Sequence, residues 1–560
     1  MRAAPGQALP RRHDVVGAGV ASGRPSQQLG ERSLRESLAL ILRCHGRALS
    51  TALGVVAICI VLGVVLKEID AKYGELGATM IVALMAFGLV AFAVALLFPV
   101  LSLIGCVALA FSSSAATLQA HYGLPLLSKY LPMLLLCAIV LRWIRQSRSA
   151  LVPRSLWLER GPADGFPIPF LLCLSLLAVG YAFLLISLIP ATNTTLAFED
   201  LHLQERRLVL CLAIALSVGL LGRWSSLSFL CIVALYATTT IILLAALGSF
   251  YPALEGVLPG FASVYAGGEP GEATDRIAGS FGHPNTLGRY AVFAMPLAIC
   301  VALVGTGLHR VLALVCLLIL VAGMTLSESR GAMLVLGIVA LPALALTIWR
   351  VKVRYWLPGL VCAFAVVLAA WQQVDTERMT RTLEDAERMI VEGGTPSDGA
   401  TRGRLSEMRI AYELWKLHPI GGIGLANYEH HFQMYSFDFG TKLYNDDRAA
   451  HSLYLEILAE RGILGLLGFL LFVGGILLAA LYHGAVLLRA GDKVGGYLLL
   501  ALVVSAFTYY LSAMMLHDVH SQPIWALLGL ITAGTRRPAP SAALDGRGHG
   551  AALRTRKNYR

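Results

Sequence analysis
Charge is scarce in this 560-residue chain. Asp, Glu, Lys and Arg make up 14% of it, where an ordinary soluble domain carries roughly 25%. With 57% hydrophobic residues and a mean hydropathy of +0.70, the chain does not read as a soluble domain. Cysteine is absent where it would matter: nine of the ten fall within apolar runs, Cys44 is the exception, and none falls in an exterior loop. This spacing implies neither a disulfide framework nor a thiolate metal site, so the cysteines read as packing residues. Strict polar–apolar alternation is missing, which argues against a β-barrel. The first forty residues lack an apolar core, so they do not read as a cleavable signal peptide.

What the chain has in quantity is long apolar runs. Fourteen approach the ~20 residues that span a bilayer. They lie at about 49–66, 77–98, 99–118, 124–141, 167–190, 207–222, 227–248, 287–308, 310–326, 331–349, 355–371, 462–483, 496–516 and 523–534. Lipid offers a backbone no hydrogen-bond partner, so each run is expected as a helix. The expected class is an all-α polytopic membrane protein of about 12–14 transmembrane helices with one large helical periplasmic loop. Its expected parts are a basic tail (1–48), helices 1–11 (49–371), the loop (372–461), helices 12–14 (462–534) and a second basic tail (535–560).

The net charge of +11 is mostly an orientation signal. If the N-terminus is inside and each helix flips the side, more than half of the 45 Lys and Arg residues fall in inside segments. The short outside segments keep only a handful, such as Lys67, Lys72, Arg276 and Arg330. By the positive-inside rule both termini are cytoplasmic and 372–461 faces outward. The basic tails read as solvated ends, with contact to anionic headgroups of membrane lipids as the alternative. No nucleic-acid partner is implied.

The outward segments hold the candidate chemistry. Arg330 sits in Ser327-Glu328-Ser329-Arg330-Gly331, a very short link between two helices. A snorkelling arginine paired with Glu328 is the plain alternative there. Gly279 to Asn285 closes an exterior loop just before a helix carrying Arg289, and His283 there is either a site residue or a helix cap. In the large loop, helices are expected over 379–392 and over 403–418, the second with Leu405, Met408, Leu414 and Trp415 on its apolar side. It opens near Thr401, which sets Arg402 and Arg404 at its N-terminal end. Cations are unfavourable at that end unless an anion sits between them, so a phosphate site is expected. Gly421-Gly422-Ile423-Gly424 reads as a flexible turn, with no P-loop lysine. His451 precedes a further helix and shares its compartment with Arg330, Arg402, Arg404 and Arg409.

These stretches resemble the O-antigen ligase and O-antigen polymerase superfamily of the bacterial inner membrane. The resemblance rests on Gly279–Asn285, Ser329-Arg330-Gly331, Thr401–Tyr428 (TRGRLSEMRIAYELWKLHPIGGIGLANY) and His451–Gly465 (HSLYLEILAERGILG). Fourteen helices rather than about twelve and the long basic N-terminus depart from the usual pattern. The resemblance implies an undecaprenyl-pyrophosphate-linked glycan donor and a glycan or lipid A–core acceptor. It implies transfer without nucleotide sugar, cofactor or metal, with Arg330 and Arg402 on the pyrophosphate and His451 near the acceptor. Arg404, Arg409, His283, Asn285 and Arg289 are the further substrate-binding candidates. Arginines stay protonated and can meet the charge of a leaving pyrophosphate. A histidine can take the proton of the attacking hydroxyl, and direct displacement inverts the anomeric centre. Asp446 and Asp447 read as a solvated turn, with a metal-binding or base role as the alternative. Ligase and polymerase differ only in the acceptor, and a lipid-linked glycan transporter is the reading from another class. Charged residues cluster at helix ends rather than mid-membrane, and the loop has no second copy, both of which speak against a transporter.

Overall fold
Apolar runs bounded by Pro, Gly and hydroxyl residues become helices whose outer faces meet lipid. The computed structural model describes residues 93, 97–122, 127–148, 167–221, 225–264, 276–338, 399–432, 449–514 and 521–536. Among them there is no strand, only an isolated bridge between Val264 and Ile277. The chain is an all-α polytopic membrane protein. Six described helices are long and apolar enough to cross a membrane, or seven if one bent pair is a single span. The expected runs 49–66 and 355–371 lie outside the described residues, as does the expected helix 379–392; runs 77–98 and 331–349 lie largely outside.

The bent pair is α1 (Pro99–Ser112) and α2 (Ser114–Tyr122), which meet at 95°. A continuous helix over 99–118 was the expectation; the chain instead turns at Ser113, in the left-handed region at φ 52. The break survives because hydroxyls satisfy the carbonyls it frees. Thr238 donates to Phe111 O at 2.9 Å and Ser280 donates to Ser112 O at 3.2 Å. A span with such carbonyls facing lipid would lose several kcal/mol per group.

Next come α3 (Leu127–Arg148), α4 (Ile168–Ile186) and α5 (Thr194–Ser217). α5 begins 13 residues before its expected apolar run, because Asn193 accepts the Leu196 N–H and caps a polar first half. α6 (Leu227–Phe250) and the short α7 (Ala253–Val257) follow. α8 (Pro284–Val304) and α9 (Leu308–Leu326) form an antiparallel pair, and α10 begins at Arg330 and is described to residue 338. α11 (Gly399–Leu417) lies in the long polar segment. α12 (Leu453–Arg489) is broken at Gly462, and α13 (Lys493–Ser512) and α14 (Gln522–Gly534) complete the bundle.

α8 lies at the centre, packed on α6, α9 and α13. Phe293 on it touches the rings of Phe111, Tyr290 and Tyr509 at centroid distances of 5.9, 5.2 and 6.2 Å. Leu171, Leu172, Leu467, Leu470, Leu471 and Leu478 remain exposed on α4 and α12. Lipid, not water, is the natural neighbour of such a surface. Six of the seven described cysteines are buried among these helices; Cys137 is exposed.

Candidate functional site
A connected path of contacts brings the candidate stretches to one end of the bundle. Leu453 N–H donates to Ala513 O at 3.0 Å, so the start of α12 meets the end of α13. Near that end, Tyr509 OH accepts from Arg289 Nη1 at 3.2 Å, which places the start of α8 beside it. Arg276 then ties the start of α8 to the end of α9. Its Nε donates to Ser327 O at 2.9 Å and its Nη2 to Asn285 Oδ1 at 3.0 Å and Glu328 O at 3.5 Å. The short link 327–329 and the approach to His451 therefore share one face.

The link itself is tightly built. Glu328 adopts φ 48, and Ser329 Oγ accepts the Ala332 N–H at 3.4 Å as the cap of α10. Gly288 lets α8 approach this link: a Cβ there would stand 2.7 Å from Ser329 Cβ and 2.8 Å from Ser327 Oγ. Arg330 is the first residue of α10 and partly exposed. It thus stands at the N-terminal end of a helix, where the helix dipole favours an anion.

The neighbouring candidates are engaged by the protein. His283 Nδ1 accepts the Asn285 N–H at 3.1 Å and caps α8. Asn285 Oδ1 receives Arg276, as above. Arg289 is 2% exposed and lies 5.1 Å over the Tyr509 ring while donating to its hydroxyl. Arg276, noted in the sequence only for its charge, is the residue that sets this geometry. Its signal was a cation three residues before a Gly/Pro/Asn cluster, which reads as loop until the partner carbonyls are known.

α11 supplies the second half. Its described start, Gly399, precedes the expected opening, so Arg404 lies in the second turn, past the free N–H groups of the helix end. The side chain of Arg402 lies outside the described residues; Arg404 is partly buried and Arg409 exposed. The buried stripe also differs from expectation. Glu407, Ile410, Ala411 and Leu414 are fully buried, whereas Leu405 is 39% exposed. The period of 3.6 fits both stripes over so short a helix, and packing on α12 selects the one containing the acid. Its carboxylate faces the histidine: Glu407 Oε2 is 3.4 Å from His451 Nε2. His451 is partly exposed and sits at φ 49, left-handed for a non-glycine residue. Asp446 and Asp447 lie outside the described residues.

The turn after α11 is pinned rather than flexible. Gly422 and Gly424 take φ 70 and 102, and a Cβ on them would strike the backbone of Glu460 and of Ala191 respectively. Ile423 N–H donates to Ala459 O at 3.0 Å and Gly424 N–H to Glu460 O at 2.8 Å. Ile463 N–H donates to Pro419 O at 2.9 Å across the break at Gly462. The glycines are there for close approach. Asn427 then fastens the turn to the α4–α5 link, accepting from Thr192 Oγ1 at 2.8 Å and from Asn193 N at 2.7 Å. Tyr428 OH donates to Glu407 O at 2.7 Å, and its N–H donates to Glu460 Oε1 at 3.3 Å. Burial, then the Glu407 charge, pushes the Tyr428 phenol well above its ordinary pKa, so it stays a donor. Burial followed by the neighbouring His430 and His418 lowers the pKa of His431, whose Nε2 is 3.0 Å from Thr192 Oγ1.

Residues 313–470 match the family model described as O-antigen ligase. The matched stretch contains Arg330, Arg402, Arg404, Glu407, Arg409 and His451, and leaves out Arg276, His283, Asn285 and Arg289. No curated protein matches the chain.

Proposed function
We propose that this chain, which carries an O-antigen ligase domain in residues 313–470, transfers a glycan from undecaprenyl pyrophosphate to an acceptor sugar hydroxyl. The reaction takes place at the periplasmic face of the bacterial inner membrane, with both termini cytoplasmic. The observation that carries this reading is the pairing of two facts: the matched stretch holds Arg330 and His451, and the contact path above leads from one to the other at one end of the bundle. Arg330 and Arg402 hold the pyrophosphate, with Arg404 and Arg409 as further cations along α11. His451 takes the proton of the acceptor hydroxyl as its oxygen bonds to the anomeric carbon. The bond from that carbon to the pyrophosphate oxygen breaks, its electron pair leaves with the pyrophosphate, and the centre inverts. Guanidinium groups stabilise the leaving charge, so the scheme uses no divalent metal.

A lipid A–core acceptor makes the protein a ligase, and a second lipid-linked repeat makes it a polymerase; the arginine and histidine roles are the same in both. The test is purified protein in liposomes with a polyprenyl-pyrophosphate glycan and each acceptor in turn. The expected result is an inverted product with one acceptor, unchanged by chelator. Activity abolished by chelator and restored by magnesium or manganese overturns the scheme and moves attention to Asp446 and Asp447. Labelling of introduced cysteines in 372–461 only after the inner membrane is permeabilised overturns the orientation.

A further inference from the structure
Glu407 occupies a position that packing alone would give to leucine. It lies on the stripe with Ile410, Ala411 and Leu414 and is 0% exposed. Burying a carboxylate costs several kcal/mol unless a partner compensates, and an apolar residue of similar volume often serves stability as well or better. The partner is the partly exposed ring of His451, 3.4 Å away. Both members are held. The Tyr428 hydroxyl donates to the backbone carbonyl of Glu407 at 2.7 Å. His451 lies between buried Ala450 and Ser452 in a left-handed conformation that costs of order 1–3 kcal/mol.

We infer that Glu407 is the positioning carboxylate of His451: it fixes the plane of the imidazole and stabilises the imidazolium formed when the ring takes the acceptor proton. This rests on the transfer reaction proposed above and assigns no contact between Glu407 and substrate. Proton balance is unchanged. The hydroxyl proton moves to Nδ1, the ring nitrogen that does not face Glu407, Glu407 stays ionised, and the ring later gives the proton up. The 3.4 Å separation is a little longer than a charge-assisted hydrogen bond, as catalytic contacts often are before substrate closes on them.

The experiment uses the full chain in liposomes with a polyprenyl-pyrophosphate glycan donor and the acceptor that supports transfer. Glu407→Gln is expected to lower kcat by roughly 10²-fold with KM for the donor little changed, because orientation of the base is lost and binding is not. Glu407→Asp, which keeps the charge, should recover part of that loss. In a His451→Ala background Glu407→Gln should cost nothing further, since groups acting as a unit are not additive. An equal loss in both backgrounds overturns the inference and makes Glu407 a prop between α11 and α12. So does a wild-type kcat in Glu407→Gln. If Glu407→Gln lowers the melting temperature, Glu407→Asp decides: a folded variant with no recovery of kcat counts against positioning. Full transfer by His451→Ala removes this inference together with the base role assigned above. Loss in His451→Ala with none in Glu407→Gln removes this inference alone.

Discussion

Two regions at the same end of the bundle handle charge in opposite ways. Between the start of α8 and the α9–α10 link, Arg276 donates to the carbonyls of Ser327 and Glu328 and to Asn285, and Arg289 is closed over Tyr509. Those cations are engaged by neighbouring protein groups. Across α11 and α12, a fully buried carboxylate is matched with a histidine that is 26% exposed. The difference lies in accessibility.

The sharpest way to break this contrast is His451→Ala. Transfer should fall by roughly 10²–10⁴-fold while protein abundance and donor binding hold; loss of donor binding instead would make His451 a pocket wall. Next in size is Arg330→Lys, expected to cut transfer roughly tenfold to a hundredfold at unchanged melting temperature, since a point charge cannot make a bidentate pair. Wild-type kinetics in that variant would move the anion site away from α10. The third test leaves chemistry aside. Gly424→Ala puts a Cβ at φ 102 against Ala191 and should cost about 1–3 kcal/mol of stability, read as a lowered melting temperature in detergent. The smallest effect belongs to His283→Ala. Losing a cap costs about 1 kcal/mol, so the variant should melt slightly earlier and transfer normally at low temperature. A large kinetic loss at full stability would place His283 among the substrate contacts after all.

The membrane class was open to reading because apolar runs of spanning length admit only helices. The broken helix at Ser113 was not, because the run Ser112-Ser113-Ser114 does not by itself force a break. Its warrant is Thr238 and Ser280, more than a hundred residues away. Likewise His451 and Arg330 stand out as polar residues in exposed links, whereas Glu407 is masked by two apolar stripes that overlap on one short helix. Gly421 to Gly424 reads as a flexible turn because the sequence shows what glycine permits and not what presses against it. Arg276 could be weighed only as a charge, since its partners are backbone oxygens, which no side-chain pattern announces.

The Leu453–Ala513 hydrogen bond also dictates an order of assembly. The turn at 422–427 docks on the α4–α5 link, made more than two hundred residues earlier, so that anchor already exists when the turn emerges. The start of α12, however, has no ceiling until α13 has crossed back and delivered Ala513. During synthesis the segment bearing His451 therefore waits, tethered on one side and open on the other. The site closes only when the penultimate described helix is in place.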